Sequence, residues 1–458
     1  VCANQLINNI ERAIIESLAI GELPRAEHAA TAVLRLERER IEGMIRYGQG
    51  KIHNTRVIQR DNGFRHQDYL ATAIVSTYKA ERFMKGRLDN LLAQTLGDRL
   101  EILVIDSASP EGEGDIVAEF QNHARNIRYL RTDRRETVYQ AWNRAIAQAT
   151  GQFLTNANTD DRLKNNALQQ LISSLEQQPA AGIAFADFHI TSCENDVFCH
   201  NHTGETTCRP PYSMNALLEN CITGSQPVWR KNLHNTVGLF DITYASAGDY
   251  DFFIRSAQQC CCIHHKEPLG LVFISPTTFS GKGHLPCIEF YDIRERYHHL
   301  LTPTKATQDL SDNESSLLTL YKNKQLSIAA DLFDITSSKS PRFIHEVGLL
   351  FEQHGMWEKA WKYLQKSYYL CPETTKYRNA HERLLTINLL STMMELMQSS
   401  GEPSTCDKFQ TVGIISRMLG CPATAAWLYF QALKSEPDNT INLVNLKRTL
   451  SMLQGDDI

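Results

Sequence analysis

Four short clusters of acidic and hydroxyl residues carry the chemistry this chain can do: Ser76-Thr77-Tyr78, Asp106-Ser107-Ala108-Ser109, Asn158-Thr159-Asp160-Asp161 and Gly248-Asp249-Tyr250-Asp251, with Arg255 a helical turn later. A hard divalent cation takes oxygen ligands, and Mg²⁺ typically uses one or two carboxylates plus phosphate oxygens. Asp160 and Asp161, adjacent on one stretch, can supply them. A third carboxylate from later in the sequence can then face a reacting carbon and accept a proton. Each cluster also has a plainer use. Asp-Ser after a strand often caps a helix. Asp160-Asp161 precedes a predicted helix, and Asp249 and Asp251 would equally cap a helix over Phe252 to Gln259.

The elements around the clusters decide between these uses. From Tyr69 the chain alternates strand and helix patterns. Strands are predicted over Ala71–Ser76, Glu101–Ile105, Ile127–Leu130, Gln152–Thr155 and Gly182–Ile190. Helices are predicted over Glu81–Gln94, Gly114–Ala124, Val138–Thr150 and Arg162–Gln177. Repeated β–α units imply an α/β fold with a mainly parallel sheet covered on both faces. Such sheets bind ligands at the carboxyl ends of their strands. The first three clusters follow strands one, two and four, where a nucleoside diphosphate and its cation would sit.

Both flanks read as helix. Leu6, Ile7, Ile10, Ile14 and Leu18 recur at three- and four-residue spacing, Gly21 and Pro24 interrupt, and a second run covers Ala26 to Ile45. From Ser311 the chain is helical again and repeats itself. Val347-Gly348, Gly355, Ala360 and Pro372 recur 65 positions later as Val412-Gly413, Gly420, Ala425 and Pro437. This is close to two tetratricopeptide periods of about 34 residues. Phe343 to Pro372 resembles such a repeat, and Tyr377 to Lys408 would be a degenerate middle one. The expected division is 1–66 helical, 67–305 catalytic and 306–458 tetratricopeptide-like.

Bulk composition narrows the function classes. In 458 residues the formal net charge is -5, which argues against nucleic acid as a partner. No apolar run reaches the roughly 18–20 residues that cross a bilayer. Asn8, Asn9, Glu11 and Arg12 break any signal-peptide core, and the chain opens on Val1, as an excised part of a longer protein would. Twelve Cys without framework spacing predict reduced thiols and a cytoplasmic setting.

Taken with their order and spacing, these segments resemble the family 2 glycosyltransferases of GT-A fold, a Rossmann-like nucleotide-diphospho-sugar transferase architecture. The resemblance runs from about Ala71 to Leu285. It rests on Ile-Val-Ser-Thr-Tyr-Lys, Val-Ile-Asp-Ser-Ala-Ser, the run Tyr139 to Leu154, Asn-Thr-Asp-Asp, Gly238 to Asp241, and Gly-Asp-Tyr-Asp-Phe-Phe-Ile-Arg. It implies an inverting transferase that uses a nucleotide-sugar, a UDP-sugar being favoured, and Mn²⁺ or Mg²⁺. Ser76, Tyr78 and Asp106 would hold the nucleoside, with Asn143, Arg134 or Arg135 near the nucleotide. Asp160 and Asp161 would hold ribose and metal, with His284 a further candidate ligand. Asp249 would be the catalytic base. Ser225, Gln226 and Trp229 would lie at the acceptor, whether a glycan, a lipid-linked glycan or a protein. The family usually has a second acid where Ser107 stands and an acid where Asn158 stands. These two departures also fit a reading in which the chain is an inactive scaffold or protein-binding module. The repeats would bind a protein partner or a second copy, because stacked helix pairs make concave surfaces.

Other residues fit chemistry less well. Cys193, Cys199, His200, His202 and Cys208 crowd one loop, but without the paired spacing of a zinc site. Cys260-Cys261-Cys262 reads as packing, and Arg131 to Arg135 as a solvated face.

Overall fold

The computed structural model describes residues 2–60, 63–199, 205–224, 226–275, 285–302, 314–315, 318, 340–399 and 404–453. Within them the strands are β1 (Val57–Arg60), β2 (Ala71–Thr77), β3 (Leu100–Asp106), β4 (Ile127–Thr132), β5 (Phe153–Asn156), β6 (Arg162–Leu163), β7 (Ala181–Thr191), β8 (Thr206–Thr207), β9 (Val228–Arg230) and β10 (Cys261–Phe273). They form a ten-stranded sheet in the order β1-β4-β3-β2-β5-β9-β7-β10-β6, with β8 on β7. β4, β3, β2 and β5 pair in parallel, as do β7 and β10. β9 runs antiparallel between β5 and β7 and brings the two parallel blocks into one direction.

Strands buried on both faces read as continuous apolar runs. β3, Leu-Glu-Ile-Leu-Val-Ile-Asp, is buried throughout. Its one mid-strand charge, Glu101, accepts hydrogen bonds from Thr72 Oγ1 (2.6 Å), Arg128 Nη1 (2.9 Å), and Thr150 N and Oγ1 (2.8 Å each). A buried carboxylate needs such partners.

One face of the sheet carries α4 (Glu81–Leu92), α5 (Glu113–Gln121) and α7 (Ala167–Gln177). The other carries α6 (Val138–Gln148), α8 (Met214–Glu219), the single turn α9 (His234–Val237), α10 (Gly248–Ala257) and α11 (Leu285–Tyr297). Thr137 and Gln140 start α6 with a reciprocal capping box. The expected helix from Arg162 begins only at Ala167. Arg162 and Leu163 instead pair with Leu271 and Gly270 at the sheet edge, so Asp160-Asp161 precede a strand and cap nothing. α10 likewise starts at Gly248, earlier than Phe252, which puts Asp249 in its first turn.

The N-terminal helices are three: α1 (Cys2–Ala19), α2 (Leu23–Leu36) and α3 (Arg38–His53). The C-terminal helices are α12 (Pro341–Gln353), α13 (Trp357–Leu370), α14 (Thr375–Gln398), α15 (Thr405–Met418), α16 (Pro422–Ser435) and α17 (Thr440–Leu453). The expected middle repeat is absent from 375–398. That segment has no turn glycine and forms the single long helix α14.

The repeated glycines have repeated causes. Gly348 and Gly413 lie where helices meet: a Cβ there would come within 2.7 Å of the Leu364 or Tyr429 side chain. Gly355 and Gly420 turn the chain at φ of 71° and 76°. Gly21 does so too, at 76°, and Ala26, Ala360 and Ala425 each follow their turn glycine by the same interval and are fully buried. The N-terminal pair α1–α2 is therefore built like the C-terminal pairs, and it packs in one apolar core with α14, α15, α16 and α17. No helix of the described residues is long and apolar enough to cross a membrane.

Gly413→Ala should lower unfolding stability by about 1–3 kcal/mol, the usual range for overpacking, because Tyr429 is itself fully buried and has no room to yield. Urea unfolding monitored by circular dichroism would measure it.

Candidate active site

The chain ends of β2, β3 and β5, the start of α10 and the end of β10 open into one cleft of about 2040 Å³. Ser76, Tyr78, Asp160, Asp161 and Asp249 all line it. Ser76 Oγ accepts from Trp142 Nε1 at 3.1 Å, which turns the serine toward the opening. The Tyr78 ring lies 4.3 Å from the Arg135 guanidinium, a cation–π pair on the cleft wall.

Asp106 is placed differently. It is fully buried and does not line the cleft. Its carboxylate accepts from Ser109 N (2.7 Å), from the Tyr129 hydroxyl and from Arg131. That network pins the turn after β3, and Ser107 faces the opening in its place. Asn143 is also a structural clamp: it donates to Phe240 O and accepts from Phe240 N, both at 2.9 Å. Arg134 bonds Thr55 Oγ1 at 2.6 Å and ties the loop to the end of α3.

The two adjacent acids differ in availability. Asp161 is 3 % exposed, with Oδ2 accepting from Asn158 Nδ2 (3.1 Å) and Oδ1 from Phe273 N (3.2 Å). Asn158 thus orients a carboxylate. Asp160 is half-buried, and no side chain of the described residues donates to it. Burial raises its pKa above the ordinary value, offset in part by its own backbone N–H and by Arg87 and Arg162.

Those two arginines are the residues that sequence reasoning missed. Arg87 is fully buried and donates to Asp161 O (2.9 Å), Asn90 Oδ1 (3.2 Å) and Gln226 Oε1 (2.6 Å). Arg162 donates to Thr159 O (2.8 Å), Asp161 O (2.7 Å) and Asn195 Oδ1 (2.6 Å). Burial lowers the Arg87 pKa to about 9. The pair clamps the backbone of the acidic loop from behind. A signal was present in sequence: Arg87 interrupts the apolar face made by Phe83, Met84, Leu88 and Leu91.

Asp249 is half-buried at the cleft. Its Oδ1 accepts from the Tyr139 hydroxyl (3.2 Å) and from Tyr250 N (2.9 Å). Burial raises its pKa above the usual aspartate value, and those two donors pull it back. Gly248 makes the arrangement fit, since a Cβ there would stand 2.8 Å from the Tyr139 ring.

Two of the acceptor residues proposed from sequence, Gln226 and Trp229, are not at the opening. Gln226 is 2 % exposed and joins Arg87 to the Arg162 carbonyl. Trp229 is fully buried and donates to His234 Nε2 at 3.0 Å. β9 carries Trp229 into the sheet core, which sequence did not show because three residues give no periodicity to read. Ser225, His284, His200 and His202 lie outside the described residues. Among the described residues no group of three or more His, Cys, Asp or Glu stands ready to hold a metal. The far side of the cleft is lined from elsewhere, by Phe290, Tyr291 and Arg294 of α11, by Tyr47 and Lys51 of α3, and by the turn at Glu436–Ile441.

Residues 72–224 match the family described as Glycosyl transferase family 2. This stretch, about a third of the chain, is thus similar to a glycosyltransferase family 2 domain. Among curated relatives it is similar to the glycosyltransferase GlyG of Streptococcus pneumoniae, 23 % identical over 139 residues, 30 % of this chain and 46 % of that protein. It thus spans about half the length of that relative. It is also similar to the putative colanic acid biosynthesis glycosyl transferase WcaA of Escherichia coli, 24 % identical over 278 residues, 56 % of this chain and 90 % of that one. Among solved structures, S. aureus TarS 1-349 in complex with UDP-GlcNAc overlays with a TM-score of 0.43 and 14 % identity, covering 76 % of this chain and 92 % of that one.

Arg87→Leu should destabilise the protein by about 3 kcal/mol or more, as removal of one member of a buried charged cluster does. A shift in the urea midpoint without a change in slope would show it.

Proposed function

We propose that this chain is a metal-dependent glycosyltransferase. It moves a sugar from a nucleotide-sugar, a UDP-sugar first among candidates, to a hydroxyl of a glycan, lipid-linked or protein acceptor, with inversion. One observation carries the reading: Asp160 and Asp249, drawn from distant parts of the chain, line a single cleft at the strand ends of the sheet.

Ser76 and Tyr78, with Arg135 against the ring, form the wall for the nucleoside. Asp160 fits Mn²⁺ or Mg²⁺, because it offers hard oxygen at a half-open site, with the more buried Asp161 beside it adding negative charge, and phosphate oxygens would complete the shell. Bound there, the cation would offset the charge that develops on the leaving diphosphate. Asp249 takes the acceptor hydroxyl's proton as that oxygen attacks the anomeric carbon. The bond from that carbon to the diphosphate breaks, and its electron pair leaves with the phosphate. A single in-line displacement inverts the centre, and no enzyme nucleophile takes part.

The cleft exceeds the roughly 300–1,000 Å³ of a typical single-ligand pocket, so donor and acceptor both have room. We assign the acceptor to the side walled by α11, α3 and the Glu436–Ile441 turn. Residues 67–305 form the catalytic part of this reading. The flanks 1–66 and 306–458 contribute α1–α3 and α12–α17, whose pairs, read as tetratricopeptide type, suit a protein partner or a second copy, and the setting is cytoplasmic. The name of WcaA, a colanic acid biosynthesis glycosyl transferase, supports a glycan acceptor.

A screen of nucleotide-sugars for Mn²⁺-dependent release of nucleoside diphosphate tests the reading; no release from any donor, with or without metal, would remove it. Asp249→Asn should lower kcat by roughly 10²- to 10⁴-fold, the usual worth of a general base. Activity should fall as pH drops through the Asp249 pKa. That acid limb should lie above the ordinary aspartate range, because burial disfavours the charged form. Asp160→Asn should weaken Mn²⁺-dependent UDP binding in calorimetry while leaving the melting temperature nearly unchanged.

A further inference from the structure

Glu289 is fully buried in the middle of α11, among apolar neighbours. It does not line the cleft, although Phe290 and Tyr291 beside it do. Its Oε1 accepts from Ala245 N (2.7 Å), and its Oε2 from Ser246 N (2.7 Å), Ala247 N (3.0 Å) and Ser246 Oγ (3.0 Å). These donors stand immediately before α10. The first turn of a helix and its approach leave amides without partners inside the helix. Residue 247 is alanine, so no local side chain caps this end. A carboxylate from another helix does so instead. Hydrogen bonds to a charged acceptor are roughly twice as strong as neutral ones.

α11 is itself held. Asp292 Oδ2 accepts from Tyr244 OH (3.0 Å) and from Arg417 Nη2 of α15 (2.9 Å). Arg296 lies 3.6 Å from both Asp251 and Asp292, and the Tyr297 hydroxyl donates to Asp251 at 2.8 Å. The approach to α10 therefore has a fixed support.

We propose that Glu289 is a positioning residue, which by binding the 245–247 amides fixes the first turn of α10 and so sets where the Asp249 carboxylate stands in the cleft. The proposal rests on the reading of Asp249 as the base. It deepens that reading by assigning the base's placement to a residue outside the matched 72–224 segment. A displacement of about 1 Å at a catalytic group can cost 10²-fold in rate, so small slack in this turn has a large kinetic readout. A residue that served stability alone would lower the melting temperature and leave the folded enzyme's kcat intact.

Glu289→Gln tests this on the full chain, because the amide NH₂ then faces donors. Peptide-level hydrogen exchange should be faster over 241–257 and unchanged over β2 to β5. On the nucleotide-sugar panel kcat should fall roughly 10- to 100-fold with donor KM unchanged, since the donor wall lies on other elements. Should E289Q not fold, Ser246→Ala removes one of the four donors and should give the same pattern, smaller in size. Unchanged exchange and unchanged kcat in a folded variant would overturn the proposal, as would a kcat loss matched by an equal loss of donor affinity. If the wild type turns over no nucleotide-sugar, the transferase reading fails on its own, and the exchange comparison still decides whether Glu289 holds the turn.

Discussion

The site depends on backbone held by buried charge. Two loops must carry carboxylates into one cleft, and each is fixed from behind by an oppositely equipped side chain. Arg87 and Arg162 hold the carbonyls of Thr159 and Asp161 beneath the acidic pair. Glu289 holds the amides of 245–247 beneath Asp249. Burying such groups is costly unless every strong hydrogen-bonding position finds a partner. Once paired they leave the loops little freedom, and Asp160 and Asp249 in front stay half-open.

The helical flanks take part in this support. α11 sends Ile293 into the core on the sheet and Ile288 into the core of the flanking helices. Asn445 of α17 donates to Thr243 O at 3.0 Å, and Arg417 of α15 reaches Asp292. The segment that presents Asp249 is thus braced by helices more than 150 residues later in the chain. α3 and the Glu436–Ile441 turn reach the cleft wall as well. The chain has a sheet with covering helices and a helical frame, and the frame touches the segment that leads into Asp249.

Much of this was legible in sequence, for identifiable reasons. β2 and β3 announce themselves as apolar β-branched runs, and the place of Ser76, Tyr78 and Asp160 at the cleft follows from the rule for strand ends in parallel sheets. The 65-residue recurrence has a structural counterpart: Gly348 and Gly413 are helix contacts, and Gly355 and Gly420 are turns. What was hidden depended on tertiary partners. Asp106 looks like a ligand residue until Tyr129 and Arg131 occupy it. Gln226 looks accessible until it joins Arg87 to the Arg162 carbonyl, and Trp229 until β9 carries it inward. Arg162 looks like the start of a helix until it pairs with β10. Glu289 carried a faint signal, an acid between Ile288 and Phe290, but its partners lie more than 40 residues away.

The most direct measurement is a crystal structure of the full chain with Mn²⁺ and a nucleotide-sugar that it binds. The account predicts the base beside Tyr78 and the diphosphate and metal against Asp160. The sugar's anomeric carbon should be turned so that its face opposite the phosphate looks toward Asp249. A nucleotide seated away from the Asp160 loop, or a sugar whose attackable face has no carboxylate near it, would contradict it.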